Sequence, residues 1–247
     1  MIKLMNKEIF KRAVEENPFE TINKIVYDLM YDAIIKLDFL PGEKINVAQI
    51  ANDLEISRTP ILEAIKQLKQ NGVVLSYENK SGYYVSYLDI ADFQSVHFSR
   101  RMLESHAVYL YTKYNPTVRF DELKEAAEEF YKAFTVGNYR RIADLDNFFH
   151  NLIVEECDND YIKSMYKGIE KKMSRYIQFS TAILGKTPSA LSARASQSQH
   201  LAICNAIEMK LPDLAKRAME EHMDTVSQGL FLHVKDFMYI KDNEIEH

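Results

Sequence analysis

The chain of 247 residues carries 31 Lys/Arg against 36 Asp/Glu, a formal charge of -5, with 47% apolar residues, seven glycines and two cysteines. That length accommodates two modest domains, and two cysteines without a CxxC relationship, Cys157 and Cys204, exclude a disulfide framework or a thiolate metal site. No run of about 18 apolar residues and no basic-then-apolar leader occurs, so no membrane span is indicated and a cytoplasmic location is expected.

Residues 1–18 are charged and without a strong period, which predicts a loosely packed N-terminal extension. From Thr21 the apolar positions Ile22, Ile25, Val26, Leu29, Met30, Ala33 and Ile34 recur at helical spacing, and "LPGEK" at 40–44 stops that helix. A short helix over Val47–Leu54 and a tight turn at Glu55–Ile56 follow. The next helix opens at "SRTP", with Ser57 as N-cap, Pro60 in the first turn and Gly72 as the stop. "VVLSYENKSGYYVSYL" then reads as a hairpin around an Asn-Lys-Ser-Gly turn. Three helices and a two-stranded wing over residues 19–88 make a winged helix-turn-helix, whose recognition helix presents its N-terminal residues to the DNA major groove.

Double-stranded DNA is therefore the expected partner of Ser57, Arg58 and Thr59, where the positive helix end favours phosphate. Residues 19–88 hold seven Lys/Arg against nine Asp/Glu, a net of -2, and the acidic balance weighs against nucleic acid. Locally, however, Arg58, Lys66, Lys69 and Lys80 face only Glu63 and Glu78 within 57–80. A helix-turn-helix serving as a protein-interaction module remains the open alternative for this part of the chain.

From Leu88 onward, helical periods run throughout: 90–112, 119–135, 138–156, 159–184, 188–209 and 212–237, with a frayed tail. Six antiparallel helices form a bundle over 89–247, so the fold class is mainly α. Asp146, Phe149, His150 and Ile153 share one helical face, and His200 and His222 each sit in an inward row of their own helix. His200 lies eleven residues before Leu211 and His222 eleven after it, so an antiparallel hairpin brings them level. Asp146, His150, His200 and His222 then converge as one oxygen and three nitrogen ligands, a set suited to Zn²⁺, Ni²⁺, Mn²⁺ or Fe²⁺. Burying these groups without a shared partner is costly. His97, His106, His233 and His247 lack the arrangement. No HExxH, P-loop, GxGxxG or nucleophile elbow is present, so a binding site is expected rather than an enzyme.

The segment "LPGEKINVAQIANDLEISRTPILEAIKQLKQNGVV…SGYYV" resembles the winged helix-turn-helix of GntR transcription regulators. "RRMLE" (100–104), "DNFFH" (146–150), "HLAICNAI" (200–207) and "DLAKRAMEEHM" (213–223) resemble the FCD effector domain of the FadR-type branch, the six-helix count matching its VanR-like variant. The resemblance implies a homodimeric, metabolite-responsive regulator, more often repressor than activator. It implies a divalent metal held by Asp146, His150, His200 and His222, and a small organic acid effector in a pocket lined by Arg100 and Glu104 of the R-x-x-L-E motif. Position alone adds Arg175 and Tyr176. Of three DNA-contacting arginines common in the family, the resemblance maps one to Arg58 and the others to Ala48 and Leu62, which leaves Ser57, Thr59, Lys66, Lys69, Lys80 and the wing Gly82 as further contacts. A metabolite-binding module with degenerate DNA recognition, or a metal-dependent enzyme, are the competing readings.

Overall fold

The structure, a computed structural model, describes residues 5–184 and 190–227. It divides into two units, Met1–Tyr87 and Leu88–His247, each built around its own apolar core.

The first unit begins with a helix, α1 (Lys7–Glu16), where the sequence reading expected a loosely packed extension. Asn6 caps it by accepting from the Glu8 and Ile9 amides, and Met5 and Phe10 are buried in the unit's core. The short apolar row Ile9, Phe10, Ala13 and Val14 carries this docking. Helix α2 (Ile22–Ile35) buries Ile25, Val26, Met30, Ala33 and Ile34, the face its period predicts, and Thr21 caps it. Strand β1 (Lys44–Ile45) leads into α3 (Val47–Leu54), capped by Asn46, and the chain turns at Glu55, whose φ of 56° is left-handed. Helix α4 (Arg58–Gln70) follows and ends before Gly72, at φ 70°.

Helix α4 is seated by Ile61, Ala64, Ile65 and Leu68, none more than 1% exposed. Full burial of an aliphatic side chain contributes on the order of 1.5–3 kcal/mol, so this inner face fixes the helix and leaves its outer face without a structural task. Strands β2 (Val74–Tyr77) and β3 (Lys80–Val85) form the predicted hairpin, with a bulge between Leu75 and Tyr77. The sheet has three strands rather than two, in the order β1-β3-β2, because Lys44 and Ile45 pair antiparallel with Tyr84 and Tyr83. Two residues are too few for an alternating pattern, and only the tertiary pairing reveals that strand.

In the second unit the described helices are α5 (Ile90–Tyr114), α6 (Phe120–Thr135), α7 (Tyr139–Glu155), α8 (Asp160–Leu184), α9 (Ala190–Glu208) and α10 (212–227). Left-handed residues close the turns after α7 and α9, at Asp158 (φ 53°) and Lys210 (φ 56°). Helix α7 packs against α5, α6 and α8, and α6 against α9. The core runs through Val108, Tyr111, Leu123, Phe130, Phe149, Ile153, Ile203, Ile207, Met219 and Met223, with Cys157 and Cys204 buried as free thiols. The predicted break at 185–188, the stretch of the last helix beyond residue 227, His233, His247 and the tail lie outside the described residues. No described helix is long and apolar enough to cross a membrane.

Candidate metal centre and nucleic-acid interface

In the first unit, Ser57, Arg58 and Thr59 stand exposed at the start of α4. Ser57 occupies the N-cap position with extended backbone, yet its hydroxyl makes no capping bond, so the first amides of α4 are left to an outside acceptor. Lys66 is exposed one turn beyond Leu62 on the same outer face. Lys69 donates to Ser76 Oγ at 2.6 Å, which ties the end of α4 to the wing. Lys80 is exposed at the tip of the hairpin. Gly82 has φ 109°, a backbone conformation that residues with a Cβ rarely adopt, so the wing favours glycine at this point. Ala48 is half-buried on α3, and Leu62 is 42% exposed.

In the second unit, α7 presents Asp146 and His150 one turn apart, α9 presents His200 and α10 presents His222. One ligand atom from each lies within 4.8 Å of all the others. His150, His200 and His222 are at most 1% exposed, and the Asp146 side chain is 13% exposed. The equal spacing of His200 and His222 about Leu211 does bring their rings level: Nε2 to Nε2 is 3.2 Å, and His222 Nε2 is also 3.2 Å from His150 Nε2. Asp146 Oδ1 is 3.6 Å from His200 Nε2 and 3.8 Å from His150 Nε2.

The outer nitrogens decide what the inner ones can do. His150 Nδ1 faces Glu104 Oε2, and His222 Nδ1 faces Gln199 Oε1 at 3.1 Å, so both rings donate outward from Nδ1. Burial holds all three histidines well below the usual imidazole range, helped by Arg100 for His150, by His150 for His200 and by His200 for His222. Neutral rings with Nδ1–H outward turn the Nε2 lone pairs of His150 and His222 at each other across 3.2 Å. Two lone pairs at that separation repel unless a cation lies between them. Nitrogens 3.2 Å apart also match neighbouring ligands on an ion with bonds of about 2.0–2.1 Å. The residues present therefore fit a divalent cation.

Burial raises Asp146 to about 6, with Arg100 opposing the shift and Glu104 adding to it, and a divalent ion held by these four residues would reverse that by favouring the carboxylate.

Around this set lies a ring that sequence reasoning saw only in part. Arg100, 1% exposed, pairs through Nε with Glu104 Oε1 at 2.5 Å and reaches Asp146 Oδ2 with Nη2 at 3.6 Å. Burial lowers the guanidinium's pKa, but Glu104 and Asp146 outweigh it, so Arg100 stays charged. Glu104, fully buried, divides its two oxygens between Arg100 and His150 and stands behind the ligand set. Burial raises its pKa while Arg100 holds it down. Buried Tyr166 completes this corner, and Gln199 orients His222.

His97, which the sequence reading set apart, is buried one turn before Arg100, and burial together with Arg100 pushes it down to about 4. Its i-3 spacing from Arg100 is the signal that could have found it. Arg175 is buried on α8. Tyr176 is occupied elsewhere: its hydroxyl donates to the Asp89 carbonyl at 2.9 Å and to Asp92 Oδ2 at 3.0 Å, with its ring edge-on to Phe93.

Comparison with known proteins follows the same division. Residues 23–85 match the model for bacterial regulatory proteins of the gntR family, and residues 95–225 match the model for the FCD domain. The chain is 22% identical over 218 residues to the HTH-type transcriptional repressor RspR of Escherichia coli (strain K12), covering 87% of this chain and 91% of RspR. It is 29% identical over 144 residues to the uncharacterized HTH-type transcriptional regulator YdhC of Bacillus subtilis (strain 168), covering 58% of this chain and 64% of that relative, just under two thirds. The solved structure of E. coli McbR/YncC shares the fold with a TM-score of 0.70 at 18% identity, over 89% of this chain and all of that one.

Proposed function

We propose that this chain, which belongs to the GntR family of bacterial regulatory proteins and carries an FCD domain as its second unit, is a repressor released from its operator by a small organic acid bound beside a divalent metal. The coarser part is plain from the family: the chain is a transcription regulator with a DNA-binding winged helix-turn-helix and an FCD domain, and not an enzyme. The metal, the effector class, the homodimer and the sign of regulation are our reading, as is assignment to the FadR-type, VanR-like branch. The described α5–α10, six helices, agree with that branch.

The observation that carries the effector reading is the meeting of three histidine Nε2 atoms and the Asp146 carboxylate beside the buried cation of Arg100. A divalent ion held there supplies Lewis acidity and coordination positions for an incoming carboxylate. Arg100 adds a guanidinium that a carboxylate selects by charge-assisted hydrogen bonds. Its link through Glu104 to His150 joins α5 to α7, so a ligand that competes for Arg100 has a route to move one helix against the other. Any such coupling requires the effector to bind the two conformations with different affinity.

On the DNA side, Arg58 at the exposed start of α4 is the residue expected to read guanine, and Ser57, Thr59, Lys66 and Lys80 are expected to hold phosphate. Lys69 contributes by fixing the wing to α4. Repression is supported by the similarity to RspR, a transcriptional repressor, and a homodimer by the two-fold symmetry of most operators of helix-turn-helix proteins. The test is selection of genomic fragments by the purified chain at moderate salt beside Arg58→Ala. Recovery of a palindromic site that the variant loses supports the reading. Equal enrichment by both chains, or none by either, overturns it.

A further inference from the structure

The outer face of α4 is polar or charged at Arg58, Thr59, Glu63, Lys66 and Gln67, with one exception. Leu62 stands between Arg58 and Lys66, at i+4 from the first and i-4 from the second, and is 42% exposed. The seat of α4 in the core does not depend on it, because Ile61, Ile65 and Leu68 on the inner face already fix the helix there. A leucine here can neither donate nor accept a hydrogen bond, so it is blind to guanine, cytosine and adenine edges. In the major groove one feature rewards it, the C5-methyl of thymine, which is read by apolar contact.

We propose that Leu62 is a specificity-determining residue that selects a thymine methyl, one helical turn along α4 from the base read by Arg58, in each half-site of the operator. The inference rests on the DNA-binding reading above and adds the base that the exposed leucine recognises. The free surface of Leu62 is then covered in the complex, whereas a cytosine at the same place leaves the side chain against a polar edge.

The experiment has two steps. A random duplex library is first selected with the wild-type chain and with Leu62→Arg. The wild type enriches thymine at one position per half-site, and the variant shifts that position alone towards guanine. The selected thymine is then replaced by deoxyuridine, which keeps every hydrogen-bonding group and lacks only the methyl. Wild-type affinity falls about 3- to 5-fold, the size expected for one methyl group returned to water, while Leu62→Ala, which alters only an exposed side chain, binds both duplexes equally. 5-Methylcytosine placed there is preferred over cytosine by the wild type alone.

A wild-type chain that enriches no sequence overturns the DNA-binding reading and this proposal with it. A recovered operator with no thymine at such a position, or equal binding of thymine and deoxyuridine duplexes, overturns the proposal and leaves the DNA-binding reading standing.

Discussion

Glu104 is a single carboxylate with two dependants, the guanidinium of Arg100 and the Nδ1–H of His150. A histidine ligand whose outer nitrogen donates to a carboxylate is fixed in tautomer and orientation and is a stronger base at its inner nitrogen. Substituting Glu104→Gln keeps the shape and an acceptor for His150 but removes the charge that balances Arg100 in a site closed to solvent. The guanidinium then has Asp146, at 3.6 Å, as its remaining nearby carboxylate and draws it away from the ligand set. We expect affinity for Zn²⁺ or Ni²⁺ to fall about 10- to 100-fold, in keeping with other outer-shell partners of metal-bound histidines. Competition against a chromogenic chelator measures it, and unchanged affinity would mean that Glu104 only balances Arg100. The same geometry explains the tautomers of His150 and His222 without invoking the ion: both outer acceptors are side-chain oxygens.

At the level of elements, the caps of the helix-turn-helix separate stability from recognition. Asn46 accepts the Gln49 amide at 3.0 Å and holds the start of α3, whereas Ser57 at the start of α4 makes no such bond. Asn46→Ala should therefore cost about 1 kcal/mol of stability, the usual value of an N-cap, and Ser57→Ala less than about 0.5 kcal/mol. If the free start of α4 meets phosphate, Ser57→Ala weakens DNA binding while leaving the melting curve almost in place. Denaturant titration with a binding isotherm distinguishes them, and an equal stability loss in both variants would show that Ser57 caps α4 after all. Most elements were legible because their periods are one-sided: α2, α4 and the β2–β3 hairpin each have one apolar face against one core. Helix α5 is different, since its buried face from Phe93 to Thr112 mixes apolar residues with the charged Arg100 and Glu104 and so carries no clean apolar stripe. The four candidate ligands could be found from an i, i+4 pair and a hairpin symmetric about Leu211. Glu104 lies 46 residues from the histidine it orients, and Gln199 lies 23 from His222, so both roles exist only once α5, α7, α9 and α10 are packed. The thin amphipathic row of α1 and the two residues of β1 gave too little pattern to outweigh their charged surroundings.

Across the whole molecule, two cores in one chain make stability a two-part quantity, and the candidate ligands lie in the second part alone. An ion that binds the folded and not the unfolded chain stabilises by about 2.7 kcal/mol at a hundred times its Kd. For a unit of this size that raises its Tm by about 5–10 °C. Calorimetry with and without Zn²⁺ at neutral pH should thus move the transition of the second unit and leave that of the first. The pH dependence has a definite sign. His97 is depressed from 6.5 to about 4 in the fold, so the unfolded chain takes up its proton first, and stability present above pH 6.5 is lost as pH falls towards 4. That one group represents about 3 kcal/mol. Asp146, raised from 3.8 to about 6, acts in the opposite direction over the same range and roughly cancels it. Glu104, also raised by burial, acts with Asp146, but His150, His200 and His222, all held well below 6.5, outnumber it, so the ion-free second unit becomes less stable below pH 6.5. The increment due to Zn²⁺ shrinks in parallel, because protonated imidazoles do not bind it. An increment that persists unchanged to pH 4, or one that appears in the transition of the first unit, would place the binding of the ion elsewhere than on these three histidines.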